Sequence, residues 1–352
     1  MSNHHRREST PGSLSGSRDS PRPTLRIGGR VYVVLNQLSL PGRGRGQVRD
    51  PQPRPRGTLR TAIVLDDTPA SRQLERSLWR LPQTVSGIPQ LQACGSHEGK
   101  KVWIVSWIQG TVLENYLQNV HEGTRRRPSV SESIRRIQTL AHQLRIFQQD
   151  LGIVHGDIKP GNLVLPSPRG SIGLIDYGSS WQVGRTYARE LGDGVGEGYA
   201  APELLESRFP LDWRADQFSA GVVLYEMLTM ELPYCGLGGK AGLDEDRVAL
   251  EKDHRPPSDL VADAEKIPRA ILNQVDEIVG RLLQLEANRR FGTPSDFCQA
   301  MDALSHHLKG AQDSIRKHSH RFPSPDLADI PTPRTPHVRN LFKRLTDLMG
   351  GE

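Results

Sequence analysis

No apolar run in this chain approaches the ~20 residues that a helical membrane span needs, and the first ten residues hold two arginines and two histidines but no apolar leader core. A cytoplasmic protein is therefore expected. Cysteine is scarce: Cys94, Cys235 and Cys298 are odd in number and lack metal-ligand spacing. Reduced, buried side chains are expected, and no disulfide framework. The paired histidines His4/His5, His306/His307 and His318/His320 have no converging Cys or Glu, so no metal is assigned to them. Lysine is absent before Lys100, and no internal repeat is evident.

What is present suits a globular protein with polar ends: 352 residues, 36% hydrophobic and 24% charged. The net charge of +6 is local. Residues 1–60 hold twelve arginines against three acids, a balance of +9, which leaves −3 for the rest. Arginine among Pro, Gly and Ser reads as a solvated arm, which makes nucleic acid a poor candidate partner. Residues 1–25 have no hydrophobic period and are expected to be a disordered tail.

The region that follows alternates short strands with helices. Val31 to Leu35 and Thr61 to Leu65 read as strands of a small sheet, separated by the Gly/Arg stretch PGRGRGQV. Thr68 and Pro69 signal a helix start, with Leu74, Leu78 and Leu81 on one face. Val102 to Trp107 reads as a further strand and Leu113, Tyr116 and Leu117 as a helical pattern. A longer helix carries Ile134, Ile137, Leu140, Leu144 and Phe147. After residue 203 the pattern is mainly helical to about Leu308. Prolines 325, 331, 333 and 336 then interrupt it before a last amphipathic stretch with Val338, Leu341, Phe342, Leu345 and Leu348.

Chemistry concentrates in HGDIKPGNLVL, His155 to Leu165, which resembles the catalytic loop of Ser/Thr protein kinases. Leu174 to Gly178 (LIDYG) resembles the kinase metal-binding motif, with Tyr177 in place of Phe. Tyr199 to Glu203 (YAAPE) resembles the end of the activation segment, and Asp216 to Gly221 (DQFSAG) the helix whose aspartate braces the loop. The order and separation of these four segments identify the chain as similar to the protein kinase superfamily over residues 30–308, most strongly from 102 onward. The resemblance implies an α+β, bilobal fold. A small β-rich lobe would cover about 26–107 and a mainly helical lobe about 108–308, with a Pro-rich tail from 309 to 352.

It also implies roles. Asp157 would position the attacking hydroxyl, Lys159 would neutralise the transferring phosphate, and Asn162 and Asp176 would hold Mg2+ beside ATP. Val105 would be the gatekeeper, and Ser106, Trp107 and Ile108 the adenine-binding hinge. Gly42, Gly44 and Gly46 would form a shortened phosphate-covering loop, and Glu203 would pair with Arg290.

Several positions depart from the family. With no lysine before Lys100, the strand-three lysine that pairs the phosphates with a helix glutamate is missing. Val64 stands at the matching place, Glu75 at that of the glutamate, and Arg43 or Arg45 is a candidate source of the missing charge. Gly156 replaces the arginine that pairs with a phosphorylated activation loop, which argues against control through Ser179, Ser180 or Thr186. Gly196 replaces a threonine that contacts the catalytic Asp and Lys.

Three functions stay open. The first is ATP-dependent phosphoryl transfer to Ser/Thr of proteins. The second is a pseudokinase scaffold or regulator, and the third a small-molecule phosphotransferase of the aminoglycoside or choline kinase type. The third shares the HGD start of the loop but is disfavoured by Lys159-Pro160, Ala201-Pro202-Glu203 and Asp216. Thr10, Ser20, Ser324, Thr332 and Thr335 precede proline in the tails and are candidate phosphorylation sites. The last amphipathic stretch is a candidate docking segment, for its own domain before any partner.

Overall fold

Alternation of buried and exposed residues builds a six-stranded antiparallel sheet in a computed structural model that describes residues 22–36, 44–52, 57–166, 171–184, 196, 198–206, 212–243, 255–262 and 264–321. Its strands are β1 (Thr24–Ile27), β2 (Arg30–Val34), β3 (Gly44–Asp50), β4 (Thr58–Leu65), β5 (Leu91–His97) and β6 (Lys100–Ser106), in the order β1-β2-β3-β4-β6-β5. Residues 1–21 of the expected N-terminal tail, Gly42, Arg43, Thr186 and residues 322–352 lie outside the described residues. The chain divides into two units, Met1–His306 and His307–Glu352, and the site belongs to the first.

Period-two alternation gives the sheet two faces with different neighbours. Leu25, Ile27, Val48, Ala62, Val64, Val102 and Ile104 form a core on one. Ile63, Leu65, Trp103 and Val105 point the other way and pack with Leu74 and Leu78 of helix α1 (Pro69–Leu78) and with Phe147 and Tyr177. Helix α1 begins at a capping box in which the Thr68 side chain accepts from the Ser71 amide and the Ser71 side chain accepts from the Thr68 amide. Such a cap stabilises a helix start by about 1 kcal/mol.

The strands not read from sequence have physical reasons for being quiet. β1 is four residues long and starts at Thr24, inside the stretch expected as tail, yet Leu25 is 1% exposed. β5 carries Gly95 and polar residues because it is an edge strand. β3 absorbs Gly44 and Gly46, expected in a loop, because β4 pairs with all seven of its residues, from Gly44↔Val64 to Asp50↔Thr58.

A two-residue strand, β7 (Thr111–Val112), leads into α2 (Leu113–His121), and α3 (Val130–Arg145) follows from a Ser129–Glu132 capping box. The expected helix continues beyond Arg145 as a π-helical turn, Ile146–Asp150. Beyond it come β8 (Ile153–Val154), β9 (Leu163–Leu165), β10 (Gly173–Leu174) and β11 (Trp181–Gln182), then α4 (Pro202–Glu206) and α5 (Arg214–Thr229). Every residue of α5 except Arg214 and Glu226 is buried, which makes it the spine of the helical lobe and explains its lack of an amphipathic period. α6 (Arg269–Leu282) packs on it, and α7 (Pro294–Arg321) adds Phe297, Met301 and Leu304 to the core. Among the described residues no helix is long and apolar enough to cross a membrane.

Candidate active site

Asp216, on the buried helix α5, organises the loop after β8. Its carboxylate accepts the backbone N–H groups of His155 (2.8 Å) and Gly156 (2.9 Å) and the side-chain amide of Gln148 (3.1 Å). Burial pushes this carboxyl up, against the pull of His155 and these hydrogen bonds. The loop so held presents Asp157, whose Oδ2 lies 3.0 Å from Lys159 Nζ. Asn162 Nδ2 donates to both the Asp157 carbonyl and Oδ2, at 2.8 Å each.

Asp176 approaches from the opposite side. Its backbone is left-handed, φ 72° and ψ 83°, and its Oδ1 accepts the Gly178 N–H at 3.2 Å. A non-glycine residue there costs about 1–2 kcal/mol, and Tyr177 holds it in place. The Tyr177 ring is 1% exposed, packs 5.4 Å from Phe147 and 6.1 Å from His155, and its hydroxyl donates to the Pro89 carbonyl at 3.1 Å. Tyrosine is tolerated where phenylalanine was expected because that acceptor is present.

Asp157, Lys159, Asn162 and Asp176 line one polar recess of about 320 Å³ together with Gly44, Arg45 and Ile63. Beside it lies an apolar slot of about 290 Å³ lined by Thr61, Val105, Ser106, Trp107, Ile108, Val164 and Ile175, with Gly46 at its edge. Arg45, Ile63 and Asp176 border both. Gly42 and Arg43 lie outside the described chain. Asp157, Lys159, Asn162, Asp176, Gly44, Gly46, Ser106, Trp107 and Ile108 are brought to these two connected recesses.

The recesses fit a nucleotide and its metal in size and chemistry. The slot is apolar and close to the lower limit of small-molecule pockets, ~300 Å³. Asn162 Oδ1 and Asp176 Oδ2 are hard oxygen donors of the kind Mg2+ selects. One guanidinium nitrogen, Arg45 Nη1, reaches both, at 3.2 and 3.3 Å, so the two oxygens face one positive charge.

A family model described as the protein kinase domain matches residues 90–308, more than half the chain. The chain belongs to the protein kinase family. A curated relative is the serine/threonine-protein kinase PknJ of Mycobacterium tuberculosis, 28% identical over 214 residues, 59% of this chain and 33% of that protein. Another is the serine/threonine-protein kinase AtPK1/AtPK6 of Arabidopsis thaliana, 29% identical over 191 residues, 54% and 36% of the two chains. The chain spans about a third of the length of these curated relatives. Among solved structures, the Cydia pomonella granulovirus kinase PK-1 superposes with a TM-score of 0.58 at 19% identity, covering 76% of this chain and 93% of that one. That likeness establishes the bilobal kinase fold.

As a kinase the chain departs from the pattern at places the structure now defines. Val64, expected at the lysine's place, borders the polar recess beside Ile63 but packs in the core on the other face of the sheet, whereas Ile63 borders both recesses, so Ile63 rather than Val64 faces the site as a cleft lysine would. A one-residue offset on a strand reverses the face. Glu75 is not left exposed by the missing partner. Lys101 on β6 reaches it at 2.8 Å, Trp103 Nε1 donates at 3.0 Å and Cys94 Sγ at 3.1 Å. Burial alone would raise the Glu75 carboxyl, but these three contacts leave it below the ordinary range. Lys101 was not singled out from sequence, although alternation through Trp103 and Val105 put it on the α1 face.

Gly156 has φ +75°, and a Cβ there would lie 1.9 Å from the Trp181 ring. An indole therefore fills the ground beside the loop where many kinases carry an arginine. Glu203 and Arg290 pair as expected, at 2.5 and 2.9 Å. Tyr199, read from sequence only as the start of the YAAPE segment, donates its hydroxyl to Glu226 Oε2 at 2.8 Å, a bond that sequence did not signal. Burial, offset in part by that hydrogen bond and aided by Glu114, pushes the Glu226 carboxyl up to about 7.

Proposed function

We propose that this kinase transfers the γ-phosphoryl group of ATP, with Mg2+, to Ser or Thr hydroxyls of protein substrates in the cytoplasm. The observation that carries the reading is the convergence of Asp157, Lys159, Asn162 and Asp176 at the polar end of an apolar slot. When bound, Mg2+ would neutralise charge between the phosphates, held by Asn162 and Asp176. Asp157 orients the incoming hydroxyl and accepts its hydrogen bond. Lys159, 3.0 Å from Asp157, offers its ammonium to the transferring group, where a loose transition state demands charge stabilisation above all. Asn162 fixes the Asp157 rotamer through its 2.8 Å contact. The Ser/Thr assignment leans on the names of the relatives, and partner docking through the tails is proposed alongside it.

A pseudokinase reading is favoured by one observation: Ile63 stands where the lysine is expected, so this face of β4 offers the phosphates no cation. Incubation with ATP and Mg2+, followed by intact mass of the protein itself and of a generic basic protein, separates the two. Transfer abolished in both Asp157→Ala and Asp176→Ala supports the kinase; no transfer and no nucleotide binding supports the scaffold. Amino-alcohol substrates in the same assay test the small-molecule alternative.

A further inference from the structure

One row of side chains crosses the cleft face of the sheet. In register, Arg45 on β3 faces Ile63 on β4, and Ile63 faces Trp103 on β6. The place where a cleft lysine would stand is thus apolar, but its cross-strand neighbour, ~4.8 Å away, is an arginine. Lys101, on the same face of β6, is engaged by Glu75 at 2.8 Å and Asp67 at 3.6 Å and borders neither recess. Arg45 borders both. Its side chain is 45% exposed, which leaves the guanidinium room to swing, and it reaches the two candidate metal-holding oxygens, at 3.2 and 3.3 Å.

We propose that Arg45 is the phosphate-gripping cation of this kinase, and that its guanidinium and the divalent metal compete for Asn162 and Asp176. Arg45 lies on those oxygens in the structure. With the metal–nucleotide complex bound, Asn162 and Asp176 would hold the metal and the Arg45 guanidinium would turn to the phosphate oxygens. Arginine suits the task because its planar fork donates two parallel hydrogen bonds to phosphate and its charge is never lost by deprotonation. The inference rests on the kinase reading and goes beyond it, because it assigns to β3 a function that the family places on the neighbouring strand.

The test measures a fluorescent ATP analogue with Mg2+, and separately Mn2+ alone by the loss of its free electron-spin signal, on the full chain. Four proteins are compared: wild type, Arg45→Ala, Arg45→Lys and Arg49→Ala, the last removing a β3 charge that borders neither recess. Expected for Arg45→Ala is a loss of nucleotide affinity of about tenfold or more together with tighter binding of Mn2+ alone. Arg45→Lys should fall between, and Arg49→Ala should match wild type. Wild-type nucleotide affinity in Arg45→Ala overturns the phosphate role, and unchanged or weaker Mn2+ binding there overturns the competition. Absence of any nucleotide binding by the wild type overturns the kinase reading itself, and the Arg45 role falls with it.

Discussion

Replacing Lys101 with methionine should cost stability while leaving the nucleotide in place. The Lys101 side chain is 13% exposed and that of Glu75 16%, so the pair is largely removed from solvent and its loss strands a carboxylate. Breaking buried pairs by removing one partner costs roughly 3–5 kcal/mol. Here Trp103 and Cys94 still donate to Glu75, which brings the expectation to about 2–3 kcal/mol, or a Tm lower by ~4–8 °C for a domain of this size. Glu75→Gln together with Lys101→Met should recover much of that, since no charge is then stranded.

The pH dependence adds a signature. In the wild type Glu75 is held below its ordinary value of 4.5, so it contributes stability that is present above 4.5 and lost as pH falls through the lower, folded value. Without the lysine, burial dominates and the folded value rises, so the variant should gain stability relative to wild type as pH falls toward the ordinary 4.5. Thermal unfolding across pH, with nucleotide affinity measured in parallel, checks both. A Lys101→Met protein of wild-type stability whose nucleotide affinity fell tenfold would refute the reasoning, because Lys101 would then be acting in the cleft.

Gly156→Arg should destabilise the fold by at least ~2 kcal/mol, from left-handed strain and the collision with Trp181; adding Trp181→Ala should relieve only the collision, which thermal unfolding would resolve. Asp216→Ala leaves the amides of His155 and Gly156 without their acceptor and should cost roughly 2–5 kcal/mol along with phosphoryl transfer, read by denaturant unfolding and the transfer assay. Glu226, pushed up to about 7, binds its proton more tightly when folded, so it erodes stability as pH rises from about 4.5 to 7. Glu226→Gln should flatten that slope and raise Tm at pH 8, a comparison made by calorimetry at pH 5 and 8.

The candidate catalytic loop was legible because its chemistry is written in contiguous side chains: Asp157, Lys159 and Asn162 stay near one another in any fold that keeps the loop local. The same held for Asp176 and Asp216, whose flanking apolar runs announce the strand and helix that carry them. What escaped depends on register between segments far apart in the chain. Lys101 meets Glu75 only because β6 lies beside β4, and the choice between Ile63 and Val64 is a choice of face that spacing alone did not fix. β3 stayed hidden because glycine and arginine have little strand propensity, and the flanking strands supply the pairing. Trp181 gave no sign of its place against Gly156, since that contact joins β11 to the loop after β8.

Trp181 carries a further consequence for how such a protein is governed. A loop fastened to its activation segment by an arginine and a phosphate can be released by a phosphatase and loosened by salt. An indole seated over a glycine offers neither handle, for no enzyme removes it and ionic strength scarcely touches it. At this point of the segment the fastening is made at the moment of folding and lasts as long as the fold does.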